Sequence, residues 1–215
     1  RFPNAKTPEA SWQLLRNGVD AITELPPERW SIDTFYHPEA ATPEKMNTRW
    51  SGFLEQVDQF EPSFFGVAPR EAQQIDPQQR LLLEVSWEAL ENAGIIPESL
   101  AGSQTGVIIG ISSVDYHRLL YKDLSSIEAY SGTGTTLSIA ANRLSYLLNL
   151  RGPSIALDTA CSSSLVAVHL ATESLQSRES NLCLVGGVNL ILSPEGAITF
   201  SQAGMMAADG RCKTF

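Results

Sequence analysis

The stretch ALDTACSSSLVAVHLA, residues 156–171, sets one cysteine ahead of three serines, and a histidine follows. Cys161, Ser162, Ser163 and Ser164 all carry a group that can act as a nucleophile. A serine needs an adjacent general base, whereas a cysteine attacks as thiolate wherever its surroundings favour the charge. The residues before Cys161 read as a short apolar strand, SIALD (154–158), and those after it as an apolar helix, SSSLVAVHLATESLQS. Cys161 is therefore expected at a strand-to-helix corner, with Thr159 and Ala160 small enough for a sharp bend. There the N–H groups opening the helix face the side chain, favour thiolate over thiol and can hold a developing oxyanion. The serine-elbow pattern G-x-S-x-G is absent, and three serines in a first turn suit the unfilled N–H groups of that turn. Cys161 is the expected nucleophile; the competing reading is a small buried hydrophobe.

Two other cysteines compete. Cys212 lies between Arg211 and Lys213, cations of the kind that activate a thiol, but in a glycine-containing loop where those charges are expected to face water. Cys183, inside NLCLV, reads as core packing. The base is harder to place among His37, His117 and His169. His169 follows Cys161 by eight residues, roughly 12 Å along a helix axis, too far to bond the sulfur. His117 reaches the site only if the loop after the preceding strand folds over it. No histidine lies downstream of His169, which excludes the papain order of Cys, His and Asn within these residues. SGTGTT (131–136) matches neither G-x-x-x-x-G-K-[ST] nor G-x-G-x-x-G. It reads as a tight turn opening a helix, with Thr133, Gly134 and Thr135 as candidates to line a substrate channel.

The elements that must position these groups are legible in outline. In DPQQRLLLEVSWEALENAG, Asp76 is placed as N-cap, Pro77 at the first helical position, Gln79 as the far half of a capping box and Gly94 at the end. Leu82, Val85, Ala89 and Ala93 form its expected apolar stripe over about 17 residues. TGVIIGIS (105–112) is a buried strand. Apolar positions 137, 140, 141, 144, 147 and 148 share one helix face, closed by Gly152-Pro153. NLCLVGGVNLIL is a strand broken or bent at its two glycines. The order β, α, β, α, β with near-continuous apolar strands indicates a layered α/β domain. The first sixty residues, rich in turn formers and aromatics, read as an irregular segment packed on a core.

The bulk numbers narrow the function. The chain has 215 residues, 43% hydrophobic and 18% charged, enough for one packed domain, residues 1–215. A net charge of −9 without a basic run excludes nucleic acid and an anionic membrane surface as expected partners. No apolar run reaches the roughly 18 residues of a spanning helix, and RFPNAKTPEASW lacks the centre of a signal peptide. Three cysteines without a C-x-x-C pair argue against a disulfide framework or a metal site and for a reducing cytoplasm. Both ends read as cut.

Taken together, RFPNA, FFGVAPREAQQIDPQQRLLLEVSWEALENAG, GTGTTLSIAANRLSYLLNLRGPSIALDTACSSSLVAVHLA, LVGGVNLILSPE and DGRCKTF resemble the β-ketoacyl synthase family, specifically the ketosynthase domains of modular type I polyketide synthases. The resemblance implies an α/β, thiolase-like layered αβαβα fold, with the N-terminal half only and its first strand and C-terminal half missing. It implies an acyltransferase in which Cys161 takes the growing chain as a thioester from the phosphopantetheine of an acyl carrier protein. A decarboxylated malonyl unit then attacks that thioester in a Claisen condensation, supported by two histidines and a lysine of the second half. No bound cofactor is implied. Acyl carrier protein domains, other domains of the same multienzyme and a second copy in a homodimer are the implied partners, with the GTGTT region near both site and interface. Loading domains of this family that only decarboxylate carry glutamine in place of the cysteine; Cys161 implies an extending domain. A ketosynthase of fatty-acid synthesis, a non-catalytic docking or dimerisation module with a decayed site, and a cysteine hydrolase using His117 are the alternatives. These residues alone are expected to be inactive and to expose apolar faces that promote aggregation.

Overall fold

The computed structural model describes residues 1–213. In chain order the elements are α1 (Pro8–Arg16), β1 (Thr23–Glu24), α2 (Ile32–Phe35), β2 (Trp50–Ser51), α3 (Pro69–Gln74), α4 (Pro77–Asn92), β3 (Thr105–Ile111), α5 (Asp115–Leu120), α6 (Ser131–Thr135), α7 (Ser138–Leu147), β4 (Ser154–Leu157), α8 (Ser163–Gln176), β5 (Leu182–Val188) and α9 (Glu195–Gln202). They fall into two compact units: residues 57–189, and residues 1–56 together with the stretch from Leu190 onward.

The larger unit is a parallel three-stranded sheet in the order β4-β3-β5. Val107 stands opposite Ser154 and Gly110 opposite Leu157 on one side. On the other, the ladder runs unbroken from Thr105 opposite Leu182 to Ile111 opposite Val188. All of β3 is buried, as its continuous apolar run requires for a central strand covered on both faces. Alternation divides the core. Val107, Ile109 and Ile111 pack with Leu82, Leu83 and Leu90 of α4 and Ala140, Ala141 and Leu144 of α7. Ile108 points the other way, against Ala167 and Ala171 of α8. The unit is thus a helix–sheet–helix sandwich. The outer side of α8 leaves Leu165, Val168 and Leu175 exposed.

Several local expectations need correction. α4 has Asp76 as N-cap and ends before Gly94, which adopts a φ of +69°. Its buried face, however, is Gln78, Gln79, Leu82, Leu83 and Leu90; Val85 is half-buried, and Ala89 and Ala93 are exposed. The stripe is rotated because two glutamines, Gln78 and the expected cap residue Gln79, are inside. α7 presents the expected face, with Leu148 buried just beyond its end. It is closed by Asn149, at a φ of +51°, before Gly152-Pro153 is reached. β5 is not broken at Gly186 and Gly187, whose pairing with β3 is continuous. Gly187 serves clearance: a Cβ there would stand 2.9 Å from the Cβ of Ser164.

In the smaller unit, Thr7 caps α1 through the Ala10 N–H at 3.1 Å, and β1 pairs antiparallel with β2. Ser201 of α9 is buried and exchanges hydrogen bonds with Asn47, its hydroxyl donating to Oδ1 at 2.9 Å and accepting from N at 3.1 Å. The first fifty-six residues therefore belong with the end of the chain, ordered by short elements and side-chain ties.

Candidate active site

Cys161 sits in a turn between β4 and α8, and its side chain is exposed. The turn is tied by its own side chains. Asp158 Oδ1 accepts the Ala160 N–H at 2.8 Å. Ser163 Oγ accepts the Thr159 N–H at 2.9 Å and donates to the Ala160 carbonyl at 2.7 Å. Ser162 Oγ donates to the Thr159 carbonyl at 2.8 Å and lies 2.9 Å from its hydroxyl. Ala160 is held at a φ of +54°, a left-handed conformation costly for a residue with a Cβ. Ser162 and Ser163 thus serve the turn, and neither fills an N–H of the first helical turn as the sequence suggested.

The main-chain donors are also allocated. The Ser162 N–H goes to the Thr159 carbonyl at 3.4 Å and the Ser163 N–H to the Ala160 carbonyl at 3.1 Å. Among the described residues the N–H and sulfur of Cys161 have no hydrogen-bond partner. The cysteine therefore presents a free donor and a free sulfur together at the amino end of a 14-residue helix. Helix and sheet approach closely enough for this because Gly110 has no side chain: a Cβ there would lie 2.9 Å from the Ser163 carbonyl carbon.

The other candidates are placed elsewhere. Cys183 is half-buried, its sulfur 3.9 Å from the Ala171 carbonyl within the α8 core. Cys212 is exposed, and the flanking cations are paired rather than free: Arg211 with Asp20 at 2.5 Å and Lys213 with Asp209 at 2.5 Å. His169 is exposed on α8. His37 Nδ1 lies 3.0 Å from the Thr42 hydroxyl. His117 Nδ1 is 3.1 Å from Thr135 Oγ1 and its ring stacks on Tyr121. Since Thr135 Oγ1 donates to the Ser131 carbonyl at 2.8 Å, His117 Nδ1 must be the donor in their contact.

SGTGT is itself one helical turn, α6. Thr133 is exposed, whereas Gly134 and Thr135 are buried. A Cβ on Gly134 would fall 2.0 Å from the Gln74 carbonyl oxygen. The Asp76 N–H donates to the Gly134 carbonyl at 2.8 Å, and Gln79 Nε2 reaches the same oxygen at 3.0 Å. Gln79 therefore does not close a capping box; its Oε1 accepts from Arg143 at 2.9 Å, and Arg143 pairs with Glu71 at 2.7 Å. This knot at the start of α4, with Asp76, Gln78 and Gln79 all buried, was not legible in the sequence. Burial pushes the Asp76 carboxyl above the usual range, against the hydrogen bonds from Gln78 and the charge of Arg80. Among the described residues no group of three or more His, Cys, Asp or Glu could hold a metal ion, and no helix is long and apolar enough to cross a membrane.

Comparison with known proteins agrees with this geometry. The profile of the β-ketoacyl synthase N-terminal domain matches residues 1–215. One of the polypeptides of the phenolphthiocerol/phthiocerol polyketide synthase of Mycobacterium tuberculosis is 52% identical over the whole chain, which spans 12% of that protein. Polyketide synthase PksN of Bacillus subtilis is 46% identical, again over the whole chain and 4% of its own length. Among solved structures, the oxazolomycin ketosynthase domain OzmH KS7 of Streptomyces albus superposes with a TM-score of 0.91 at 38% identity, covering 99% of this chain and 37% of that one. The ketosynthase from module 6 of the bacillaene synthase of Bacillus subtilis gives 0.86 at 38% identity, covering 99% and 34%. With its full length matched, the chain belongs to the β-ketoacyl synthase family, with the thiolase-like fold of the polyketide synthase ketosynthases and covering their N-terminal domain.

Proposed function

We propose that this chain is the acyl-accepting portion of a condensing ketosynthase in a polyketide-synthesising multienzyme, with Cys161 as the nucleophile. The observation that carries the proposal is the exposed Cys161 just before α8, its N–H and sulfur without a hydrogen-bond partner among the described residues, on a turn tied from within. The thiolate attacks the carbonyl carbon of an acyl thioester borne on the phosphopantetheine of an acyl carrier protein. As the new C–S bond forms, the carbonyl oxygen takes the negative charge, and the Cys161 N–H is aimed to receive it. Collapse of that intermediate breaks the bond to the carrier's sulfur, which leaves as thiolate and takes its proton from solvent, and the chain rests on Cys161. In the condensing step a malonyl-type unit loses carbon dioxide, its carbanion attacks the same carbonyl, and the Cys161 thiolate is released. The residues that assist decarboxylation are proposed to lie outside these 215. Carrier domains, neighbouring domains of the multienzyme and a second copy are the proposed partners, in the cytoplasm; the exposed Thr133 remains a candidate for the acyl channel.

Mass spectrometry of the complete synthase after incubation with an acyl thioester tests this. Cys161→Ala is expected to carry no acyl adduct and to lose condensation, while Cys183→Ala and Cys212→Ala keep both. Undiminished condensation in Cys161→Ala overturns the proposal.

A further inference from the structure

Gln78 is fully buried, yet its side chain is polar and one of its atoms is unpaired. Its Nε2 donates to Asp76 Oδ2 at 3.1 Å and to the Ser113 carbonyl at 3.0 Å. Asp76 Oδ1 accepts the Gln78 main-chain N–H at 2.8 Å, so the carboxylate holds both ends of the residue. The amide has one orientation open to it. Turned over, its oxygen would face a carboxylate and a carbonyl, two acceptors. Its Oε1 accordingly stays buried without a donor. A methionine would fill the same space but would take this donor from both the Asp76 carboxylate and the Ser113 carbonyl; what the glutamine adds is a donor reaching two acceptors at once.

The far acceptor matters because of where it is. Ser113 lies two residues past the end of β3. β3 and β4 are parallel neighbours, with Gly110 opposite Leu157, so both leave the sheet at the same edge. Past that edge Ser112 and Ser113 follow β3 as Asp158 and Thr159 follow β4, the latter two residues before Cys161. Ser112 is exposed and Ser113 half-buried, and Gly110, three residues before Ser113, lies against Ser163 at the start of α8. In a parallel sheet the crevice at the carboxyl ends of neighbouring strands is where ligands lie.

We infer that Gln78 is a positioning residue for acyl transfer: by tying the Ser113 carbonyl to the start of α4, it sets the segment that walls the Cys161 turn, against which the incoming thioester aligns. The inference rests on Cys161 being the acyl acceptor. Gln78 touches neither the sulfur nor the acyl group. Its effect is on the alignment of the reacting carbonyl, which small displacements degrade steeply.

The complete synthase with Gln78→Met tests it, using the acetyl thioester of N-acetylcysteamine and, separately, iodoacetamide. Acylation of Cys161 at saturating thioester is expected to slow by about tenfold or more. Half-saturation should stay within about twofold, because the loss is of alignment and not of binding. Alkylation by iodoacetamide, which needs only an accessible thiolate, is expected to be unchanged. Ser113→Gly loosens the same segment with α4 untouched and is expected to reproduce the slow acylation, which decides the matter if Gln78→Met does not fold. Wild-type acylation in a folded Gln78→Met overturns the inference, as does a parallel fall in acylation and alkylation, which would assign Gln78 to the fold alone. An acyl adduct persisting in Cys161→Ala would instead remove the acyl-acceptor reading beneath it.

Discussion

After β4 the chain needs only residues 158–162 to reach α8, whereas after β3 it passes through α5 and α6 before α7 begins. The short passage is held from within: Asp158, Ser162 and Ser163 bond groups no more than four residues away. The long passage is held from outside, by Asp76, Gln78 and Gln79, whose partners there lie 35 to 58 residues further along the chain. Cys161 thus stands on a self-contained turn, and the segment after β3 depends on a remote polar knot. A turn of the first kind can be aimed without reference to the rest of the domain. A segment of the second kind can be altered by changes far from the chemistry.

The contrast is broken most severely at Gly134. A methyl group there falls 2.0 Å from the Gln74 carbonyl oxygen and 2.6 Å from its carbon, inside any permitted contact. Either α6 or α3 must move, at a cost of about 3 kcal/mol, the upper end for an overpacked site. Urea unfolding of Gly134→Ala should show this loss. If the turn is independent of the knot, iodoacetamide should still alkylate Cys161 at its wild-type rate in the folded fraction. A matched fall in alkylation would show that the two passages are one structure.

Ser163→Ala cuts the other side of the comparison. It removes the acceptor of the Thr159 N–H and the donor to the Ala160 carbonyl, next to a residue in the left-handed region. The Ala160 carbonyl keeps the Ser163 N–H, and Thr159 and Ala160 are exposed, so water can take up part of what is lost. A loss of about 1 kcal/mol is expected, the size of a net intramolecular hydrogen bond. The expected signature is the reverse of Gly134→Ala: a smaller change in denaturation midpoint, but a loss of acylation by thioester in the folded protein. Acylation at the wild-type rate would mean that the turn keeps its shape without the serine.

What could be read from the residues divides along the same line. β3, α7, the Asp76 cap and the corner at Cys161 depend on neighbours in sequence, and their patterns announce them. Gln79 three residues after a cap is the local signature of a capping box, but its amide is drawn to the carbonyls of residues 133, 134 and 136, a tertiary demand that no local pattern encodes. Ala89 and Ala93 have helical spacing yet face water, because burial of the two glutamines turns α4 about its axis. Gly186 and Gly187 resemble a break in a strand; Gly187 instead clears the start of α8. The tie of Gln78 to Ser113 had no local signature, since its partner stands 35 residues further along the chain.

The smallest expected effect concerns charge. The knot contains a carboxyl whose pKa is raised by burial, with Asp115 adding to the rise and Arg80 opposing it. Between the ordinary value of 3.8 and that raised value, the folded state binds the Asp76 proton more tightly than the unfolded chain does. The contribution of Asp76 to stability is therefore fullest below 3.8 and is lost as pH climbs through the raised value. Asp20 and Asp209 behave oppositely. The Ile22 N–H and Arg211 hold the first below the usual range, and Lys213 and the Arg211 N–H the second, so their contributions fade only as pH falls below 3.8. The two windows lie on opposite sides of 3.8 and can be separated in one titration of unfolding free energy. Asp76→Asn should abolish the decline above 3.8 and leave the acid limb in place. Its Oδ1 can still accept the Gln78 N–H, so the cap survives; the amide cannot accept from Gln78 Nε2, so the baseline should fall. If acylation of Cys161 also loses its dependence on pH across that window in Asp76→Asn, the knot transmits its protonation to the wall. If only stability changes, the tie through Ser113 is rigid to charge, and Gln78 alone sets the wall's position.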